Sequence, residues 1–275
     1  MKKIILVTGA SSGIGKQTAI NLIEKGHTVY GVSRRTNKMN ELVEIGGHSI
    51  KMDILNNEDV DIVVNKIIKE QGRIDVLINN AGYGLWGAVE TISIKEAKRQ
   101  FNVNLFGLAY LTKKIIPIMR TQNSGKIINI SSVGGKLYTP YGAWYHATKH
   151  ALEGWSDCLR LELKEFGIDV ILIEPGIIKT EFTHVMMSST ANRSSGTVYE
   201  KKIKALEKAT EKMHIKGLGS PPLKISKLIS KAIESKKPRR RYVGGLFAKP
   251  MLFIRKWFGD KIYEKAILSQ INKGL

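Results

Sequence analysis

The sequence predicts an α/β fold: a doubly wound parallel sheet with helices on both faces, in three layers. Three observations predict it. Short apolar, largely β-branched runs alternate with longer segments of helical periodicity. The runs are continuously apolar rather than alternating, as strands covered on both faces are. A glycine-rich turn, Thr8-Gly9-Ala10-Ser11-Ser12-Gly13-Ile14-Gly15, directly follows the first run. Right-handed crossovers then fix the winding of the sheet.

The elements follow in order. Residues 4–7, 28–32, 49–52, 76–78, 126–130 and 170–173 are the expected strands, each ending near Gly, Asn, Ser, Asp or Pro. Gly26 stops the first helix, and Gly167 stops a long helix expected over 145–166; glycine suits the left-handed residue that follows a helix. After Pro175-Gly176 the character changes. Residues 188–196 are rich in Ser, Thr, Asn and Gly and predict a mobile loop. Two helices, near 199–214 and 221–235, and a last strand at 240–244 are expected next. An apolar and basic tail occupies 246–275. With no internal repeat and no linker, residues 1–275 predict one domain, with 181–235 as the region over the substrate.

Composition narrows the class. A chain of 275 residues can bury a full core. Its one cysteine, Cys158, permits no intrachain disulfide, which fits a reducing, cytoplasmic setting. The opening apolar run ends at Thr8-Gly9, too short for a secretory leader. The net charge of +20 is uneven: from Lys201 onward lie 20 of the 44 basic residues but only 5 of the 24 acids. That tail lacks an aromatic-stacking platform or groove-binding motif, so no specific nucleic acid is expected. Its mixture of large apolar residues and cations at 246–258 suits a membrane headgroup region, and the cluster Lys236-Lys237-Pro238-Arg239-Arg240-Arg241 adds charge for anionic lipid. Packing on the core, or over the substrate cleft, is the alternative for the same residues.

The chemistry lies upstream. Gly9, Gly13 and Gly15 sit between a strand and a helix. They allow a tight turn, close approach of backbone to a pyrophosphate and close helix–strand packing. With Ser11, Ser12 and Ile14 they form a dinucleotide cradle at a helix N-terminus. The second strand ends at Ser33-Arg34-Arg35, where an NAD site carries an acid for the ribose hydroxyls. Here Arg34, or in second place Arg35, can grip a 2′-phosphate, so NADP(H) is the expected cofactor. Asp53 ends the third strand and suits either the adenine amine or a helix cap. Asn79-Asn80-Ala81-Gly82 closes the fourth strand with small residues that admit the cofactor. Tyr145 and Lys149, four apart on a helix, pair a phenol with a cation. The cation, and an oxidised nicotinamide, should lower the phenol from its ordinary value of about 10. Ser132 can donate to the same substrate oxygen. No metal is expected.

These motifs, with Asn104 in Asn102-Val103-Asn104 and the run Pro175-Gly176-x-x-x-Thr180, resemble those of the short-chain dehydrogenase/reductase family in its compact form, a Rossmann-type fold. The resemblance covers residues 1 to about 180. It implies that Ser132, Tyr145 and Lys149 are catalytic and that Asn104 holds a water in the proton path from Lys149. It implies that Lys149 also binds the nicotinamide ribose, that Thr180, beside Pro175 and Gly176, contacts the carboxamide, and that Asn80, Ala81, Gly82 and Asp53 lie along the adenosine half. A homodimer or homotetramer is implied, with an interface on the 145–166 helix, where Ala151, Leu152, Trp155, Leu159, Leu161 and Leu163 form more than one apolar stripe. The segment Asn79–Gly87 and the long tail are more similar to the hydroxysteroid and retinol dehydrogenase branch. Phe182, Val185, Met186 and Met187 favour an apolar substrate. The expected activity is therefore NADP(H)-dependent interconversion of a carbonyl and an alcohol, on a steroid, retinoid or lipid. A 3-oxoacyl thioester is the alternative substrate. A catalytically silent NADP-binding regulator is the alternative class, and its mark would be the loss of Tyr145 or Lys149.

Overall fold

The computed structural model describes residues 1–182, 186, 190, 193–215 and 217–272. Seven parallel strands form one sheet in the order β3-β2-β1-β4-β5-β6-β7. They are β1 (Ile4–Thr8), β2 (Thr28–Ser33), β3 (His48–Lys51), β4 (Val76–Asn79), β5 (Gly125–Ile130), β6 (Ile168–Pro175) and β7 (Arg241–Gly244). The order reverses between β1 and β4, which opens a crevice at their carboxyl ends.

Alternation along the strands fills two cores. Ile4, Leu6, Tyr30, Val32, Leu77, Ile127 and Val170 point to one face, where they meet α3 (Asn57–Gln71), α5 (Leu108–Thr121) and α6 (Ala143–Glu162). Ile5, Val7, Val29, Val76, Ile78, Ile128 and Ile171 point to the other, against α1 (Gly13–Glu24) and the helix Pro222–Glu234. Burial on both faces is why the runs read as continuously apolar. Replacing a fully buried strand leucine such as Leu77 with Ala should cost about 2–5 kcal/mol.

Local chemistry sets the helix ends. Asn56 caps α3 by accepting from the amides of Glu58 and Asp59, and Gly72 ends it at φ 69°. Ser93 and Glu96 form a capping box on α4 (Ile94–Phe101). Gly26 and Gly167, at φ 82° and 66°, take the left-handed role their positions predict. The long helix starts two residues earlier than expected, at Ala143, and ends at Glu162; a 3₁₀ turn at Lys164–Phe166 completes the segment. Between α4 and α5 the chain makes a π-helical turn, Asn102–Gly107.

The loop expected over 188–196 is corrected in part: residues 188, 189, 191 and 192 lie outside the described residues, and 195–196 form a turn. Thr190, Arg193 and Ser194 are helical, and the side chains supply the reason. Thr190 Oγ1 donates to Met186 O at 2.8 Å and Ser194 Oγ to Thr190 O at 3.2 Å, so residues that usually favour turns bond back along a helix. The helices α7 (Glu200–Ile215) and α8 (Pro222–Glu234) then lead to β7. The tail forms α9 (Ala248–Asn272), kinked at Gly259. Among the described residues no helix is long and apolar enough to cross a membrane.

Candidate active site

Thr8 and Asn80 build the cradle across the β1–β4 crevice. Thr8 Oγ1 accepts from the amides of Asn80 and Ala81, each at 2.9 Å. Asn80 Nδ2 donates back to Thr8 O at 2.9 Å and Gly9 O at 3.2 Å. The turn is therefore held from below. A Cβ on Gly15 would lie 2.4 Å from both Gly9 O and Asn80 Nδ2, and one on Gly9 would lie 2.9 Å from Asn80 Nδ2. Gly9 and Gly13 also hold φ of 67° and 55°. Ser12, the N-cap of α1, makes no side-chain cap bond, and no acid lies in the first turn. Those amide donors suit an anion, so the cradle fits a dinucleotide pyrophosphate.

Around the cradle the expected binding residues converge unequally. Thr180 packs on Gly13, where a Cβ would meet Thr180 Cγ2 at 3.1 Å; this joins the Pro175–Thr180 run to the turn. Gly176 is equally constrained, its missing Cβ lying 2.4 Å from Leu246 O. Asp53 accepts from the Leu55 amide at 3.1 Å, while the helix cap falls to Asn56. Arg34 is exposed and has no hydrogen-bond or ion-pair partner among the described residues. Arg35 reaches over the turn instead. Its Nη2 donates to Ser11 Oγ at 3.2 Å and Ser12 Oγ at 3.0 Å, and its Nη1 ion-pairs with Glu181 at 3.3 Å. Lys38 also pairs with Glu181, at 3.0 Å.

At the carboxyl ends of β5 and β6, Ser132, Tyr145, Lys149 and Asn104 come together. Tyr145 is buried, and the Ser132 hydroxyl lies near enough to favour its phenolate form. Ser132 Oγ accepts from the Gly134 amide at 3.0 Å. The Tyr145 ring lies against Gly134, where a Cβ would meet Tyr145 Cε1 at 3.2 Å. Lys149 Nζ donates to Ile130 O at 2.8 Å and lies 6.0 Å from the Tyr145 ring centre. Asn104, buried in the π-helical turn, accepts from Tyr83 N at 3.1 Å and donates to Tyr83 O at 3.0 Å and Thr148 Oγ1 at 3.2 Å. The deeper Asn79 donates to Asn129 and Thr112, tying β4 to β5 and α5 beneath the site.

The electrostatics correct one expectation. Burial pushes the Tyr145 phenol up to about 12, and the Ser132 hydroxyl only partly opposes it. Burial of the phenol outweighs the lowering expected from Lys149, whose ammonium lies 6.0 Å from the ring centre. Burial brings Lys149 down to about 8, against the pull of Glu153 one helical turn on. Glu153 belongs to a buried ion cluster. Arg241 Nε lies 3.0 Å from both Glu153 and Glu174, and Lys136 Nζ lies 2.8 Å from Glu174. Burial raises the Glu174 carboxyl despite these cations.

The sequence marked Phe182 as apolar lining and Trp86 only as part of a similar segment; it gave no sign of their place beside Tyr145 or of His146. Trp86 and Phe182 flank Tyr145, with ring centres 5.1 and 5.7 Å away, and make an apolar wall over the phenol. Gly84 leaves room for Phe182, whose Cζ would be 2.9 Å from a Cβ there. Trp86 O also accepts from Thr190 Oγ1 and Arg193 Nη1, which anchors the region after Thr180 to this wall. His146 Nε2 accepts from the Thr139 amide at 3.1 Å, which leaves Nδ1 as the protonated nitrogen facing Gly134 O at 2.9 Å. It pins the loop after Ser132 onto α6. Val185 and Met187 lie outside the described residues.

Part of the apolar surface of α6 is core. Leu152 and Leu159, with Leu163 just beyond, are buried, and Trp155, half-buried, packs against the first core. Ala151 is half-buried and Leu161 strongly exposed.

The short chain dehydrogenase family matches residues 3–191. A 3-ketodihydrosphingosine reductase of Bacteroides thetaiotaomicron is 39% identical over 269 residues, 96% of each chain. An NADPH-dependent 3-dehydrocapnine reductase of Ornithobacterium rhinotracheale is 34% identical over 273 residues, covering 94% of this chain and 95% of that one. The crystal structure of a short-chain dehydrogenase from Streptomyces avermitilis superposes with a TM-score of 0.79 at 31% identity, covering 99% of this chain and 96% of that one. The chain belongs to the short-chain dehydrogenase family of oxidoreductases.

Proposed function

We propose that the protein is an NADP(H)-dependent carbonyl reductase, running in reverse as an alcohol dehydrogenase, on an apolar substrate of steroid, retinoid or lipid type. The observation that carries this reading is the buried Tyr145 phenol, set beside Ser132 and walled by Trp86 and Phe182. Such a wall favours an apolar carbonyl compound and excludes water from the proton donor. One relative is named a reductase of 3-ketodihydrosphingosine and the other an NADPH-dependent reductase of 3-dehydrocapnine, so 3-ketodihydrosphingosine is the first substrate to test.

The glycine cradle and Thr180 would hold the dinucleotide, with Arg34 on the 2′-phosphate and Arg35 beside it. Bound there, the reduced nicotinamide supplies a hydride. Tyr145 gives its phenolic proton to the substrate oxygen; as a phenol near 12 it is fully protonated at neutral pH and ready to donate. Ser132 donates a hydrogen bond to the same oxygen and stabilises its developing charge. The Lys149 ammonium stabilises the resulting phenolate and, with Asn104 placing a water, returns the proton. The protein acts as one domain and assembles as a homodimer or homotetramer.

The test is NADPH oxidation followed by absorbance, with 3-ketodihydrosphingosine, a 3-oxoacyl thioester and a steroid ketone as substrates. Tyr145→Phe keeps the ring and removes the proton. It should lower turnover at least about a hundredfold with little change in NADPH affinity. Near-normal turnover in that variant would sink the mechanism.

A further inference from the structure

We propose that the kinked helix α9 seats the protein on an anionic lipid surface. Its two halves present different chemistry inward and outward. Inward, Tyr263 is buried and donates to Tyr138 O at 2.7 Å, with the two rings 5.3 Å apart. The Arg255 guanidinium lies over the Tyr138 ring at 4.7 Å and bonds Lys136 O. Outward, Phe253, Trp257 and Phe258 are 56%, 66% and 53% exposed. They form one cluster, with Phe253 centred 6.3 Å from Trp257 and 6.2 Å from Phe258. The break at Gly259, at φ 73°, turns the chain just past this cluster, and Ile262 lies exposed beyond it.

Charge selects the occupant. Both acids of the segment are engaged with the protein: Asp260 with Arg255 at 3.2 Å, Glu264 with the Tyr138 phenol at 2.9 Å. Lys249, Lys256, Lys261 and Lys265 are exposed and have no ion-pair partner among the described residues. Exposed aromatic side chains, with Lys256 over the Trp257 ring at 5.2 Å and further lysines along the same helix, suit the boundary between headgroups and acyl chains, where rings bury and ammonium groups meet phosphates. A second copy fits poorly, because each would bring the same lysines, in a chain of net charge +20, to the contact.

The cluster Lys236–Arg241 lies at the amino end of β7 and α9 follows its carboxyl end. The proposal rests on α9, where the exposed aromatic residues are. Through Lys136 and Tyr138 this helix grips the loop between Ser132 and Tyr145. A lipid surface at α9 would then adjoin the site proposed to take an apolar substrate. Binding needs neither cofactor nor turnover, so it stands or falls apart from the choice of substrate.

The experiment is co-sedimentation of the full, cofactor-free protein with vesicles of phosphatidylglycerol or phosphatidylcholine, at about 50 mM and about 500 mM salt. The expected result is binding to phosphatidylglycerol at low salt, release at high salt and little binding to phosphatidylcholine. Trp257→Ser with Phe258→Ser should lower partitioning at least about tenfold while the melting midpoint is kept. Lys256→Gln with Lys261→Gln should weaken binding and flatten its salt dependence. Three results would each overturn the proposal: no sedimentation with phosphatidylglycerol at low salt, equal binding to both lipids, or wild-type binding by the aromatic variant. A fourth would be an aromatic variant that changes only the oligomeric mass.

Discussion

Lys149 should move activity and stability in opposite directions as pH rises. Burial holds its ammonium at about 8, against 10.5 for an ordinary lysine. That difference corresponds to about 3 kcal/mol by which folding disfavours the charged form. The folded value lies below the unfolded one, so the cost is fully present below pH 8. It fades between 8 and 10.5, as the folded protein releases the proton first. Lys149→Met keeps the length of the side chain and removes the charge. At pH 7 the variant should be more stable than the native protein by about 2–3 kcal/mol, and at pH 9.5 by only about 1 kcal/mol. Urea unfolding at the two pH values measures both differences. Activity runs the other way, because the proposed roles of Lys149 need the ammonium. The native protein's kcat/KM for NADPH should be flat below pH 8 and fall about tenfold per unit above it. Binding of NADPH to Lys149→Met, followed by nicotinamide fluorescence, should be weaker and show no such limb. Equal stability differences at pH 7 and 9.5, or the same limb in the variant, would refute a buried, depressed, functional lysine.

Two further predictions test the cofactor site. Gly15→Ala places a methyl 2.4 Å from Gly9 O and Asn80 Nδ2, so it should cost about 1–3 kcal/mol and lower NADPH affinity at least about tenfold. Gly26→Ala, at φ 82° with open space around it, should lose about 1 kcal/mol or less and bind NADPH normally, as shown by thermal melts and titration. Arg34→Ala should weaken NADPH by about 10- to 100-fold and leave NADH nearly unchanged. Equal losses for both cofactors would remove the 2′-phosphate contact, and the same loss confined to Arg35→Ala would transfer it to Arg35.

What was legible in the sequence follows from how each constraint is written. Gly9 and Gly15 were readable because a backbone that must approach a neighbour to within 2.4–2.9 Å of a missing Cβ admits only glycine, and glycine is visible in a sequence. The strands were readable because burial on both faces removes polar residues from each run. Tyr145 and Lys149 were readable as a pair because helix geometry fixes their spacing. The direction of the Tyr145 shift was not, because it depends on how much water each group loses, and desolvation is set by Trp86, Phe182 and the sheet, not by spacing.

Long-range placement accounts for what spacing could not show. Arg34 and Arg35 are adjacent in sequence, yet they differ in partners because Ser11, Ser12 and Glu181 meet only one of them. The cluster of Glu153, Glu174, Arg241 and Lys136 draws on α6, β6, β7 and the loop after Ser132, so no window of sequence contains it. It nevertheless bears on catalysis. Glu153 lies one turn beyond Lys149, and its charge opposes the desolvation that would otherwise strip the ammonium of its proton. Arg241 in turn holds Glu153 in place. The charge state of Lys149 thus depends on a carboxylate fixed by the last strand of the sheet. Strand β7, in the elaboration after Thr180, therefore supports the charge of Lys149 from behind.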